Sequence, residues 1–307
     1  MKPKIRVGTR GSDLALAQTG HVVDALSELN PGVEFEVVVV KTTGDKDQRQ
    51  NIETLGVGVF VRELEAALLD GRVDLAVHSL KDMPSTLPSE FKLAAVPPRE
   101  DPRDAIISRS GDSLEDLPAG SRVATGSARR KALIKSIRPD LEVESLRGNV
   151  PTRLAKLDED GGPDAVILAT AGLNRLGISE KISAHLPSME FVAAVGQGAL
   201  TIEVRADDDA TFEIANKLDD AETHAAVSAE RAFLDVVGGG CSAPVSAHAR
   251  ITDGRIEISG FASTHGGSKA IRERISGNAS DAIELGKKLG ESYVKQGARE
   301  LVAEKVG

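Results

Sequence analysis

Three groups of residues in this 307-residue chain have types and spacings that suit chemistry. The first is residues 238 to 244, Gly-Gly-Gly-Cys-Ser-Ala-Pro, which hold the single cysteine, Cys241. The glycines leave φ and ψ unrestricted and Pro244 bars a helix, so the thiol is carried on a loop. A lone cysteine forms no intramolecular disulfide. It is a buried thiol without special role, a nucleophile, or a point of covalent attachment. The second group is Lys81-Asp82, a cation beside a carboxylate at the end of a predicted strand over residues 73–80. Taken alone, Asp82 reads as a solvated turn residue ahead of Met83-Pro84. The third group is Arg10, Arg129, Arg130, Arg147, Arg153 and Arg175, each predicted just beyond a strand end or in the first turns of the next helix. In open parallel sheets ligands bind outside the carboxyl ends of the strands, where helix N-termini add N–H donors and a positive dipole end. Each arginine singly reads as a surface residue. In one recurring position they predict a site for a ligand with several acid groups, each charge-assisted bond contributing roughly 1.5–3 kcal/mol.

The elements that must position these groups follow from the hydrophobic pattern. Residues 5–9 read as a strand, Ser12 or Asp13 as an N-cap, and Ala15, Val22, Leu26 and Leu29 as one face of a helix stopped by Asn30-Pro31-Gly32. Residues 35–40 form a β-branched run too continuous for a surface strand, predicting a sheet covered on both faces. Residues 44–58 show no period and read as a mobile loop, either a plain connection or a lid. A helix then starts near Phe60 with Leu64 and Leu68 on its face. The proline- and charge-rich residues 97–104 mark a domain crossing. Beyond it come a strand over 122–125, the turn Gly126-Ser127, a helix from Ala128, a strand over 143–146, and another over 165–170 running toward Arg175. Residues 192–204 read as a loop entering a strand and as the return crossing. Residues 222–237 are helical, 245–276 form a three-strand meander turning at Asp253-Gly254 and Gly266-Gly267, and 281–305 are helical with a break near Gly297.

Composition narrows the class. Hydrophobic residues make up 40% of the chain, enough for ordinary cores in two or three domains. Aromatics are 3% and tryptophan is absent, so the cores rest on Val, Leu, Ile and Ala, and no aromatic cofactor cage is available. The net charge of −9 opposes nucleic acid and anionic membrane, so an anionic ligand needs a locally basic pocket. No stretch approaches the roughly 18 apolar residues of a membrane helix, and no apolar signal core precedes the first strand. A cytoplasmic protein without metal, nucleic-acid or membrane partner is expected.

Several stretches together resemble the porphobilinogen deaminase, or hydroxymethylbilane synthase, family of tetrapyrrole biosynthesis. They are Gly8-Thr9-Arg10-x-Ser12, residues 76–84 (Ala-Val-His-Ser-Leu-Lys-Asp-Met-Pro), residues 99–104 (Arg-Glu-Asp-Pro-Arg-Asp), Ser127-x-Arg129-Arg130, Leu146-Arg147-Gly148-Asn149, residues 171–177, Val195-Gly196-Gln197-Gly198-Ala199 and Gly239-Gly240-Cys241. The resemblance implies two hinged α/β domains like type II periplasmic binding proteins, over 1–98 with 198–217 and over 104–193. It adds a smaller α+β domain, 220–307, with a three-stranded antiparallel sheet and the cysteine loop. It implies a monomer in which Cys241 holds a dipyrromethane cofactor through a thioether. That cofactor, built from substrate, primes four additions of porphobilinogen before hydroxymethylbilane is released by hydrolysis. Carried over residue by residue, Lys81, Ser127, Arg129, Arg130, Arg147 and Gly198 would bind the cofactor. Arg10, Ser12, Phe60, Arg147, Arg153, Arg175 and Gln197 would bind the substrate or growing chain. Asp82 would be catalytic: ammonia leaves porphobilinogen to give an azafulvene cation, the terminal pyrrole attacks it, and a fixed carboxylate stabilises charge that is larger in the transition state. The chain departs from the family pattern at Val57, commonly lysine, at Gly126 and Ala128 around Ser127, and at Gly238. A non-catalytic two-lobed polycarboxylate binder would explain the arginines but not the cysteine loop. A cysteine hydrolase would need one of six histidines, and no spacing selects one.

Overall fold

Ile5 and Val7 are fully buried while Arg6 between them reaches the surface, the alternation that makes β1 (Lys4–Thr9) a strand with one face on a core. The computed structural model describes residues 4–40, 61–240 and 243–304. Cys241, Phe60, Val57 and the loop expected over 44–58 lie outside the described residues. Ser12 caps α1 (Asp13–Leu29), its Oγ accepting from Ala15 N at 3.3 Å. There follow β2 (Glu34–Val39), α2 (Arg62–Leu69), β3 (Leu75–Ser79), a single 3-10 turn (Leu80–Asp82) and β4 (Phe91–Ala95). Next come β5 (Asp104–Ser108), β6 (Arg122–Ala124), α3 (Ala128–Ile137), β7 (Glu142–Glu144), α4 (Val150–Asp158), β8 (Ala165–Ala169), α5 (Thr170–Arg175) and β9 (Ala184–Leu186). The chain continues through β10 (Leu200–Arg205), α6 (Asp209–Asn216), α7 (Ala221–Val237), β11 (Val245–Thr252), β12 (Arg255–Ser263), β13 (Ala270–Asn278), α8 (Ala282–Lys295) and α9 (Ala298–Ala303).

Two compact units result, Met1–Glu100 with Ala199–His224, and Asp101–Gly198 with Ala225–Gly307. The first holds a five-stranded sheet in the order β2-β1-β3-β10-β4. Its core joins Ile5, Val7, Leu75, Val77, Ile202 and Val204 of the sheet to Val22 and Leu26 of α1. The second holds a sheet ordered β7-β6-β8-β5-β9 and the antiparallel sheet β11-β12-β13. The last sheet turns at Asp253 (φ 50°) and Gly254 (φ 71°), two successive left-handed residues that match the strands' twist. Ala247, Ala249, Ile256 and Ile258 on one of its faces pack with Phe233 of α7 and Tyr293 of α8, whose rings meet edge to face at 4.9 Å.

Some expectations change. The sheets are mixed rather than parallel: β10 runs antiparallel to β3 and β4, and β5 antiparallel to β8 and β9. The first sheet is covered on both faces, by Val22 and Leu26 of α1 on one and by Leu64, Ala67 and Leu68 of α2 on the other, but the run at 35–40 is itself only partly covered. β2 is an edge strand with one neighbour, and Val37 and Val39 are 41% and 50% exposed. Leu29 is exposed too, because α1 ends there, with Asn30 as its C-cap. The strand expected over 143–146 is Glu142–Glu144. The helix break at Gly297 is a left-handed glycine, φ 83°, between α8 and α9.

Candidate functional site

In the first unit the buried run of β3 ends at Ser79, and Leu80, 1% exposed, anchors the 3-10 turn that carries Lys81 and Asp82. Leu80 N donates to Ala199 O at 3.0 Å, which ties the turn to the chain entering β10. Met83 N closes it on Leu80 O at 3.1 Å, and Pro84 prevents its growth into a helix. Behind the turn Gln18 Nε2 donates to Ser79 Oγ at 3.0 Å, and His78 Nε2 meets Glu203 Oε2 at 3.0 Å in the buried middle of the sheet. Lys81 and Asp82 are thus partly exposed side chains on a backbone fixed from three sides. Arg10 and Ser12 belong to the same unit, just past the end of β1, the strand next to β3.

In the second unit the head of β5 carries Asp104, 0% exposed, and the first turn of α3 turns Arg129 and Arg130 onto it. Arg129 Nη1 donates to Asp104 Oδ2 (2.7 Å) and to Val192 O (2.8 Å). Arg130 donates to Asp104 Oδ1 from Nε (2.9 Å) and Nη2 (2.7 Å), and to Ile167 O from Nη1 (3.0 Å). Gln197 Nε2 adds a further bond to Asp104 Oδ1 at 2.9 Å and one to Pro102 O at 2.8 Å. Burial by itself would raise the Asp104 carboxyl, but the charges of Arg129 and Arg130 outweigh it and hold Asp104 well below the usual carboxylate range. Burial pulls the Arg130 guanidinium below its usual value against the opposing pull of Asp104. A guanidinium starts so far above neutrality that the cluster is ionic at pH 7.

Two guanidinium groups face one carboxylate, which leaves the cluster net positive. Arg129 Nε is buried without a hydrogen-bond partner among the described residues. That uncommitted donor suits one further acidic group, and the α3 N-terminus adds its dipole. Ser127 caps this helix, its Oγ accepting from Arg130 N at 3.4 Å. Gly126 precedes it where the Leu146 carbonyl lies 2.5 Å from the position of a Cβ, so this backbone admits glycine and no larger residue.

The other expected arginines are placed differently. Arg147 is exposed beyond β7, and Arg153 in the first turn of α4 donates from Nε to Gly148 O at 2.7 Å. Arg175 is the last residue of α5 rather than beside a strand end, and its Nη2 donates to Gly198 O at 2.7 Å. The second unit therefore brings together Arg129, Arg130 and Gln197 on Asp104, and Arg175 with Gly198. Asp104 belongs to the motif at 99–104, yet the sequence reading does not place it in the site. The signal was available: a carboxylate heading an apolar run, Ala-Ile-Ile, needs a buried partner. Among the described residues no helix is long and apolar enough to cross a membrane and no cluster suits a metal ion.

The model described as the dipyromethane cofactor binding domain of porphobilinogen deaminase matches residues 5–213, and its C-terminal domain model matches residues 224–295. Porphobilinogen deaminase of Syntrophobacter fumaroxidans is 45% identical, over 98% of this chain and 97% of its own. That of Thermus thermophilus is 46% identical, over 97% and 98%. Among solved structures the methionine binding protein MetQ is 15% identical over 70% of this chain and 89% of its own, at a TM-score of 0.46, too low to add to the sheet topology itself. With both family domains matched in order and close to half of all residues identical to relatives of the same length, the chain belongs to the porphobilinogen deaminase family.

Proposed function

We propose that this chain, a transferase of tetrapyrrole biosynthesis by family, deaminates four porphobilinogen molecules and joins them head to tail on a dipyrromethane attached through Cys241. Hydrolysis then releases hydroxymethylbilane, and the protein works as a monomer. One observation carries the reading: a cofactor-binding family model spans residues 5–213 of a chain with a single cysteine, which follows three glycines in the sequence. The dipyrromethane, when bound, supplies a pyrrole with a free α-carbon as the first nucleophile. Everything else falls to side chains of the protein.

The residues fit such a group. Each ring carries an acetate and a propionate, and the arginine cluster has net positive charge and an uncommitted Arg129 Nε. Lys81, Ser127, Arg129, Arg130, Arg147 and Gly198 are assigned to the cofactor. Arg10, Ser12, Phe60, Arg147, Arg153, Arg175 and Gln197 are assigned to substrate and growing chain. Asp82 is assigned the catalytic role. Its turn is fixed by Leu80 and Ser79, so the backbone that carries the carboxylate is in place before positive charge develops on the pyrrole nitrogen as ammonia leaves. A preorganised charge of this kind costs no reorganisation at the moment of reaction.

Intact mass tests the reading. Purified protein is expected to be heavier than its sequence by two linked pyrrole units, all on the peptide containing Cys241. Fully active protein of unmodified mass would overturn it.

A further inference from the structure

The second face of the three-stranded sheet is engaged as well, along the rows of Ser246 and Ser259. Ser246, Phe261 and Arg272 stand directly opposite one another on β11, β12 and β13 and form one row across it. Phe261 is 0% exposed, and its ring belongs to the core of the neighbouring five-stranded sheet, among Ile106, Ala132, Leu133 and Ile134. Three of those four residues lie on α3, the helix that begins with Arg129 and Arg130. Arg272 covers the Phe261 ring at 4.7 Å and donates from Nη2 to Ser136 Oγ of α3 at 2.9 Å and from Nη1 to Glu190 O at 2.8 Å. In the next row Ser259 Oγ donates to Met189 O at 2.8 Å.

The segment gripped in this way, residues 189–192, ends in the carbonyl that Arg129 uses. Val192 O accepts from Arg129 Nη1 at 2.8 Å and from Ser246 Oγ at 3.2 Å. The hairpin between β12 and β13 closes the clamp. A Cβ on Gly267 (φ 74°) would stand 2.6 Å from Ala132 O, 3.0 Å from Lys135 Cβ and 3.1 Å from Ser136 N, so this turn packs closely on α3. Arg129 Nη1 is therefore held on one side by Asp104 and on the other by Val192 O, and through Val192 by the strand that begins four residues after Cys241.

We propose that the row Ser246–Phe261–Arg272 is a positioning element for the Arg129–Arg130 pair. It sets the two guanidinium groups through α3 and residues 189–192, and so keeps them in one geometry with the domain that carries the cysteine. The proposal rests on the assignment of Arg129 and Arg130 to the cofactor. It adds that their aim is set from outside their own sheet, by side chains that touch neither cofactor nor substrate.

The experiment uses holoprotein matched for dipyrromethane content, given about one equivalent of porphobilinogen, with bound chain lengths read by intact mass. Phe261→Leu and Ser246→Ala loosen the clamp. Ile258→Val removes a methylene from the opposite face of the same sheet and controls for lost stability, with thermal midpoints recorded for all. Arg129→Lys acts on the guanidinium directly. Expected is a fall of about tenfold in the share of Phe261→Leu protein extended beyond the primer, less than the roughly 10²-fold that a 1 Å misplacement can cause. Ser246→Ala should fall less, and Ile258→Val should extend like the parent. A shift in Ile258→Val as large as in Phe261→Leu would make this a stability effect and overturn the proposal. A shift in Arg129→Lys alone would overturn it while sparing the cofactor assignment. Parental extension in Arg129→Lys as well would overturn that assignment and the proposal with it.

Discussion

The two five-stranded sheets share one frame. The orders β2-β1-β3-β10-β4 and β7-β6-β8-β5-β9 correspond strand for strand in order and sense, each with its antiparallel strand next to last. The correspondence extends to single bonds. Arg6 N donates to Asp74 Oδ2 (2.9 Å) while Asp74 N donates to Arg6 O (2.8 Å), and Arg122 with Asp164 repeats both, at 2.7 and 2.8 Å. Leu80 N reaches Ala199 O at 3.0 Å, and Thr170 N reaches Arg103 O at 3.0 Å. Within this frame the first residue of the antiparallel strand is Leu200 beside Ser79 in one sheet and Asp104 beside Ala169 in the other. Three residues beyond Ser79 stands Asp82; three beyond Ala169 stands Gly172. Each sheet thus places one carboxylate at the same corner, half-buried on a turn in the first and sealed between arginines in the second. The difference teaches that the corner supports two kinds of acid, one left partly exposed on a turn and one consumed by holding two guanidinium groups.

The sharpest break of that contrast is Asp104→Asn. Removing one partner from a buried ion cluster costs about 3–5 kcal/mol, because two guanidinium groups would then face a neutral amide. Urea unfolding should show that loss at pH 7. Since Asp104 is held below the usual carboxylate range, its contribution is complete above about pH 4 and is lost as pH falls through its folded value. The parent should therefore lose stability in acid more steeply than the variant. An unchanged midpoint and acid limb would erase the distinction between the two acids.

Asp82→Asn should do the reverse, leaving stability within about 0.5 kcal/mol and lowering single-turnover ammonia release from cofactor-loaded protein about 10²–10³-fold. Asp82→Glu, which keeps the charge but moves it, should retain more. Near-normal release from the Asn variant would show that the charge is not needed. The smallest expected effect sharpens the frame itself. Asp164→Ala removes the acceptor of a backbone N–H and should cost about 1–2 kcal/mol in thermal or urea unfolding, and Asp74→Ala should cost more, because Asp74 also accepts from the Arg6 guanidinium at 2.9 and 3.1 Å. A cost within error of zero for Asp164→Ala would mean that the repeat is geometric without being energetic.

Much of this was legible in the sequence. Ser12 caps its helix, the turn Gly126-Ser127 opens α3, Asp253-Gly254 turns a hairpin, Gly297 breaks the last helix, and β3 ends within one residue of the expected place, just before the turn with Lys81 and Asp82, all from local chemistry acting over a few residues. What escaped depends on partners far apart in the chain. Asp104 meets Arg129 across 25 positions and Gln197 across 93, so no window reveals that its charge is matched. The exposure of β2 is set by its place at the sheet edge, which a β-branched run does not encode. The internal repeat hides because it survives in few side chains, Arg6 and Arg122, Thr9 and Thr125, Asp74 and Asp164, while backbone bonds carry the rest. Cys241, the residue most legible in the sequence, lies outside the described residues.

The position of β10 has a consequence for the order in which the protein matures on the ribosome. β10 is residues Leu200–Arg205, yet in the first sheet it lies between β3 and β4 and pairs with both. When β4 leaves the exit tunnel its place has no neighbour to bond, and it must wait while about a hundred further residues are made. Those residues include all five strands of the second sheet, which can pair in the interval. Even that sheet is incomplete on release, since the seat among Ala132, Leu133 and Ile134 stays open until Phe261 is synthesised. The amino-terminal third of the chain is thus translated first and closed only after the middle third has emerged, and a pause in elongation before codon 200 would leave β4 as an unpaired edge strand.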